Sequence, residues 1–248
     1  MLLSLLSGNS LTDVIVSLLF LLPIILFSLS FHETAHGFVA YKCGDPTAHN
    51  LGRLTLNPLR HLDPIGFLSM LLIGYGWAKP VPINTRNFRN PKRGMAITAA
   101  AGPISNFILG LFSTVMLGLV AAWSTYLAIY HSDNALLIRI VEYLFTLFHL
   151  SALLNFMFMA FNMIPIPPFD GSRIAFAFLP PKFYFAVMRY ERQIMFGFLI
   201  ALFALSYFVD FSPTHWIATK LTGWIYTPCY KFFSSLFLPD EIFGMLFR

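Results

Sequence analysis

The hydrophobic positions of this chain fall in long uncharged blocks and not in the alternations of a water-soluble fold. The run VIVSLLFLLPIILFSLSF, residues 14–31, carries no charged side chain, and the apolar stretch continues to Tyr41. At ~1.5 Å per residue, a helix over Val14–Tyr41 exceeds the ~30 Å hydrocarbon core of a bilayer. The pattern predicts a first membrane helix there, kinked at Pro23. Gly94–Trp123 predicts a second span, Leu136–Ile164 a third and Gln193–Val209 a fourth. The stretch His215–Leu238 is apolar but interrupted by Lys220, Gly223, Pro228 and Lys231. It reads as a fifth crossing or as an amphipathic helix lying in the interface.

Two of these spans carry a face. Ala99, Gly102, Asn106, Gly110 and Thr114 recur three or four apart on the second, making a small-residue stripe that lets another helix approach closely. Ser151, Asn155 and Asn162 share a side of the third, a polar stripe that should point into the bundle.

The connections set the orientation. Between the first two spans, Lys42, Arg53, Arg60, Lys79, Arg86, Arg89, Lys92 and Arg93 outnumber Asp45 and Asp63, and the excess of positive charge places this segment in the cytoplasm. Within it, Asn50–Asn57 alternates well enough for a short strand, and Ile65–Trp77 reads as a re-entrant or interfacial element. Pro165–Arg192, with Arg173, Lys182, Arg189 and Arg192, returns to the same side. The expected fold class is an all-α polytopic membrane protein of four to six helices with a short cytoplasmic β or re-entrant element. Residues 1–248 read as a single membrane-embedded domain, with a core over 14–210 and an apolar tail over 211–248.

Composition agrees. The chain is 57% hydrophobic and only 11% charged, against roughly 25% charged in soluble domains. The mean hydropathy is +0.71. The pI near 9.3 reflects basic loops flanking apolar spans, and no basic stripe with spaced aromatics points to nucleic acid. The N-terminus lacks a positive leader region and a small-residue cleavage site, so the first span is expected to be retained. Cys43 and Cys229 are too few and too distant for a disulfide framework.

The chemistry lies in the first span. His32-Glu33-Thr34-Ala35-His36 puts two imidazoles at i and i+4 on one helix face. Two such nitrogens can hold one zinc ion, and the adjacent Glu33 can take a proton from an activated water. Ionisable side chains at membrane depth are costly and mark function. A catalytic zinc needs a third protein ligand. The outstanding candidate is Asp170, in Asn162-Met-Ile-Pro165-Ile-Pro167-Pro168-Phe-Asp170-Gly171. The prolines end the third helix at the face where the first span leaves the membrane, and Gly171 permits close backbone approach.

These two elements, with Gly102-Pro103-Ile-Ser-Asn106 opening the second span, resemble the site-2 proteases, the intramembrane zinc metalloprotease family. The stretches Asn57–Pro64 and Gly76–Pro82 resemble its compact bacterial branch, without a PDZ or CBS domain. The resemblance covers roughly residues 14–210. It implies one Zn2+ per chain, held by His32, His36 and Asp170, with Glu33 as catalytic base. It implies a role for Asn106 and Asn162 in holding a substrate backbone or the Asp170 loop. The implied activity is peptide-bond hydrolysis in membrane-spanning proteins or peptides, in the cell membrane and near its cytoplasmic face. A metal-ion transporter and a catalytically inactive membrane scaffold are the alternatives. A transporter often carries paired broken helices or inverted repeats, and neither is found; a scaffold predicts loss of the base, and Glu33 is intact.

Overall fold

The computed structural model describes residues 11–73, 78–130, 134–180, 189–190, 193–194, 196–198, 200–201, 204 and 213–246. Its helices are α1 (Leu11–Lys42), α2 (Thr47–Asn50), α3 (Pro64–Ile73), α4 (Pro91–Tyr130), α5 (Ala135–Asn162), α6 (Asp170–Phe176), α7 (Pro213–Phe237) and α8 (Asp240–Leu246). Short 3-10 turns occupy Pro58–Arg60 and Thr85–Asn87.

The helix ends follow local chemistry. α3 and α4 begin on Pro64 and Pro91, where a missing N–H costs nothing. The residue before each proline caps the first turn: Asp63 Oδ1 accepts from Gly66 N–H at 2.8 Å and Asn90 Oδ1 from Arg93 N–H at 3.1 Å. Asn134 does the same for α5, accepting from Leu137 N–H at 3.1 Å. α1 ends where Gly44 takes φ +107°, a conformation that suits glycine, and Asp45 N–H folds back to the Ala40 carbonyl at 2.9 Å.

Among the described residues, three helices are long and apolar enough to cross a bilayer: Ile15–Lys42 within α1, then α4 and α5. Their outward side chains match that setting. Leu19 is 68% exposed, Phe112 57% and Leu136 71%, an arrangement stable against lipid and unfavourable against water. The predicted first, second and third spans are thus present. α4 runs beyond its predicted limits at both ends, because Pro91 and Asn90 start it earlier and no breaker follows Trp123. The fourth predicted span lies largely outside the described residues. The tail carries α7 and the short α8, and neither is among the three crossing candidates of the described residues.

The strand expected over Asn50–Asn57 is corrected: there is no strand among the described residues. Thr47–Asn50 closes a helical turn instead, Arg53 N–H returns to the Ala48 carbonyl at 2.9 Å, and Gly52 turns the chain at φ +63°. The Thr55 carbonyl accepts the Thr34 hydroxyl and His61 Nε2–H, both at 2.7 Å. Side chains, not a partner strand, satisfy it. The apolar element after it is the ten-residue helix α3, too short at ~1.5 Å per residue to span.

The chain divides into two compact units. One comprises Met1–Asn106 with Phe158–Ser212, the other Phe107–Met157 with Pro213–Arg248. In the second, Val120, Leu127 and Val141 form a buried cluster covered by Trp123, Tyr126, Leu137, Leu144 and Phe148. Gly110 lets the Phe156 ring approach α4, and the polar stripe of α5 finds partners as Ser151 Oγ meets Ser113 Oγ at 2.8 Å. Cys43 and Cys229 are free thiols.

Candidate metal centre

The first unit brings His32, His36 and Asp170 together. One ligand atom from each lies within 4.8 Å of the others. Helical periodicity stacks the two imidazoles on α1, with ring centroids 4.6 Å apart and planes at 86°. Both are 94% or more buried, each with a relative exposure of 6%. The carboxylate arrives from another part of the sequence. Pro165, Pro167 and Pro168 donate no N–H, so α5 stops at Asn162 and the chain turns irregularly. Phe169 anchors the turn, buried edge-on against Phe161 at 4.4 Å between centroids. Asp170 then opens α6. Gly171 is required here, because a Cβ would strike the Met163 carbonyl.

Asp170 Oδ2 lies 3.2 Å from Nε2 of both histidines, and the two Nε2 atoms are 3.0 Å apart. The other ring nitrogens are engaged. His36 Nδ1 faces the Thr98 carbonyl at 2.7 Å, and His32 Nδ1 faces Asn106 Oδ1 at 2.6 Å. Both partners are acceptors, so each ring carries its proton on Nδ1. In the neutral rings each Nε2 then turns a lone pair toward the same point. Asp170 Oδ2 is buried with no hydrogen-bond partner. With both rings neutral, three electron pairs converge and repel, and a cation among them relieves that repulsion. Two imidazoles and one carboxylate with an open fourth position are the donor set of a catalytic zinc, and the residues fit that ion.

α4 closes the site with backbone. A Cβ at Gly102 would stand 2.5 Å from His32 Cε1 and His36 Cε1, so only glycine lets α4 pass this close. Glu33 is half-buried beside the histidines, and its Oε2 accepts the Val81 N–H at 2.8 Å. Asn106, fully buried, stands behind His32. Asn162 donates through Nδ2 to the Phe158 carbonyl of its own helix at 3.0 Å.

Sequence reasoning missed three contributors: the Thr98 carbonyl, the Val81 amide and the steric role of Gly102. The first two are backbone groups, which no side-chain motif reveals. Gly102 was visible as part of the small-residue stripe, without its target.

Apolar helices that sink two imidazoles, a carboxylate and a neighbouring glutamate into one point define a membrane-embedded metallopeptidase. The profile of peptidase family M50 matches residues 20–205, and the chain belongs to that family, the site-2 proteases. It is an intramembrane zinc metalloprotease, and its partners are the bilayer and membrane-borne substrates. "Putative zinc metalloprotease YwhC" of Bacillus subtilis (strain 168) is 39% identical over 162 residues, 65% of this chain and 70% of that protein. "Putative zinc metalloprotease Rip2" of Mycolicibacterium smegmatis is 27% identical over 214 residues, 84% of this chain and 70% of that protein. Its namesake in Mycobacterium tuberculosis is 28% identical over the same length. No solved structure matches the chain.

Proposed function

We propose that His32, His36 and Asp170 hold one Zn2+ and that Glu33 is the base for hydrolysis of peptide bonds in membrane-spanning substrates, close to the cytoplasmic face. The observation that carries this reading is the meeting of His32 Nε2, His36 Nε2 and Asp170 Oδ2 within ligand-sharing distance of one another. Bound there, zinc supplies a Lewis acid that activates water and polarises a carbonyl.

The residues of the chain do the rest. Glu33 takes a proton from the attacking water and delivers it to the leaving amine. Asn106 and the Thr98 carbonyl fix the ring orientations and keep both Nε2 atoms free to ligate. Asp170 brings the negative charge that makes a divalent ion tolerable in a poorly hydrated setting. A substrate helix hides its carbonyls in i to i−4 bonds, so the scissile segment must unwind before it reaches this point. The cytoplasmic assignment rests on the basic segments 42–93 and 165–192, which flank the helix ends carrying His36 and Asp170.

The test is purified protein in liposomes with a single-span peptide substrate, wild type against Glu33→Gln, with zinc measured in both. The variant should keep its zinc and lose cleavage. Full cleavage by Glu33→Gln removes Glu33 from the mechanism.

A further inference from the structure

Residues 78–84 run without regular structure beside α1 and are fastened at several points. Lys79 N–H donates to the His61 carbonyl at 2.8 Å. Arg53 Nη2 donates to the carbonyls of Lys79 at 2.9 Å and Pro80 at 3.2 Å. Asn84 N–H donates to Asp45 Oδ2 at 2.7 Å, and Asp45 is itself fully buried at the end of α1. Between these ties, Val81 N–H donates to Glu33 Oε2 at 2.8 Å.

The sequence makes that donor singular. Pro80 and Pro82 flank Val81 and have no N–H, so Val81 supplies the sole backbone donor of the three. Gly37, one turn beyond Glu33 on the same face of α1, creates the room. A Cβ there would meet Val81 Cγ1 at 3.1 Å and Leu54 Cδ2 at 2.5 Å. The Val81 side chain is buried in that notch.

We infer that residues 79–84 form a strap that positions the Glu33 carboxylate, with Arg53 and Asp45 as positioning residues acting through it. The inference rests on the reading of Glu33 as the base. A glutamate has three rotatable bonds, and a free carboxylate at the site samples several rotamers. A fixed amide on Oε2 confines it and leaves Oε1 for proton transfer. Orientation completed before the substrate arrives acts on the chemical step and not on substrate capture. Loss of the strap therefore lowers kcat and leaves KM nearly unchanged.

The experiment uses the full chain in liposomes with a single-span peptide substrate, following kcat, KM and zinc per chain. Val81→Pro deletes the N–H, and Val81→Ala keeps it. Arg53→Gln loosens the strap without touching its backbone, and Arg53→Lys restores part of the donation to the two carbonyls. Val81→Pro should lose about tenfold or more in kcat with zinc retained and KM within about twofold. Val81→Ala, which keeps the N–H, should retain clearly more kcat than Val81→Pro, Arg53→Gln should fall in kcat, and Arg53→Lys should recover part of the loss. Should Val81→Pro fail to fold, the arginine pair decides. Wild-type kcat in zinc-loaded Val81→Pro or Arg53→Gln overturns the strap, as does a loss matched by falling zinc or by a proportional rise in KM. Glu33→Gln separates the two readings: an active Glu33→Gln defeats the base assignment, whereas an inactive one beside a fully active Val81→Pro defeats the strap alone.

Discussion

Asn106 Oδ1 accepts the Nδ1–H of His32 at 2.6 Å, tying the second long apolar helix to the imidazole face of the first. The bond fixes the His32 tautomer and ring plane, so it governs how well Nε2 ligates. Partners of this kind are worth about 10- to 100-fold in metal affinity. Asn106→Ala should weaken zinc binding by that order in a chelator competition, while Asn162→Ala, whose amide is bonded within its own helix, should leave zinc affinity unchanged.

Gly102 and Gly110 lie on the same stripe of α4 but face different neighbours. A methyl at Gly102 enters the space between the two imidazoles, and one at Gly110 strikes the Phe156 ring at 2.7–3.0 Å. Gly102→Ala should abolish zinc loading and cleavage. Gly110→Ala should lower the melting temperature and keep one zinc per chain. Metal analysis beside thermal unfolding in detergent distinguishes the two.

Asp170→Ala removes the only carboxylate of the donor set and leaves two neutral imidazoles. Zinc content of the purified variant should fall well below one per chain. Chelation of the wild type should stop cleavage, and added zinc should restore it. Asp170→Ala loaded to wild-type stoichiometry would remove Asp170 from the ligand set.

Asp45 gives a pH dependence outside the membrane spans. Burial acts to raise its pKa, but hydrogen bonds from the Thr47 and Asn87 side chains and the Asn84 and Thr47 amides outweigh it and hold the carboxyl below its usual value. The folded pKa is below the unfolded one, so the stabilisation is complete above roughly pH 4 and is lost as pH falls through the folded pKa. Asp45→Asn should be less stable than wild type at neutral pH by about 1–3 kcal/mol. The gap should close on acidification, read as converging melting temperatures.

The sequence foretold some of these features and not others, for physical reasons. The spans over α1, α4 and α5 were legible because lipid demands long uncharged runs with every backbone bond internal. His32 and His36 were legible because i and i+4 fix a shared face. The turn leading to Asp170 was legible because Pro165, Pro167 and Pro168 cannot continue a helix. The segment Asn50–Asn57 misled because alternation signals a half-buried extended chain but not a pairing partner, and the Thr55 carbonyl found side chains instead. Asn106 was legible as a candidate for positioning a substrate or the Asp170 loop, but its bond to His32 depends on how α4 rotates against α1, which local pattern does not specify. The Val81 amide left no trace, since any residue but proline carries one.

The three donors come from positions 32 and 36 on one helix and 170 on a turn far along the chain. A metal that joins such distant parts is also a clasp. Stripped of it, the lone pairs of the two imidazoles and the carboxylate push against each other, and the proline turn has lost a reason to stay docked. Zinc bound there would stabilise the docking of this turn on α1 by linkage. Zinc taken away by chelation would remove that contribution to the fold along with the chemistry, and zinc returned would restore both.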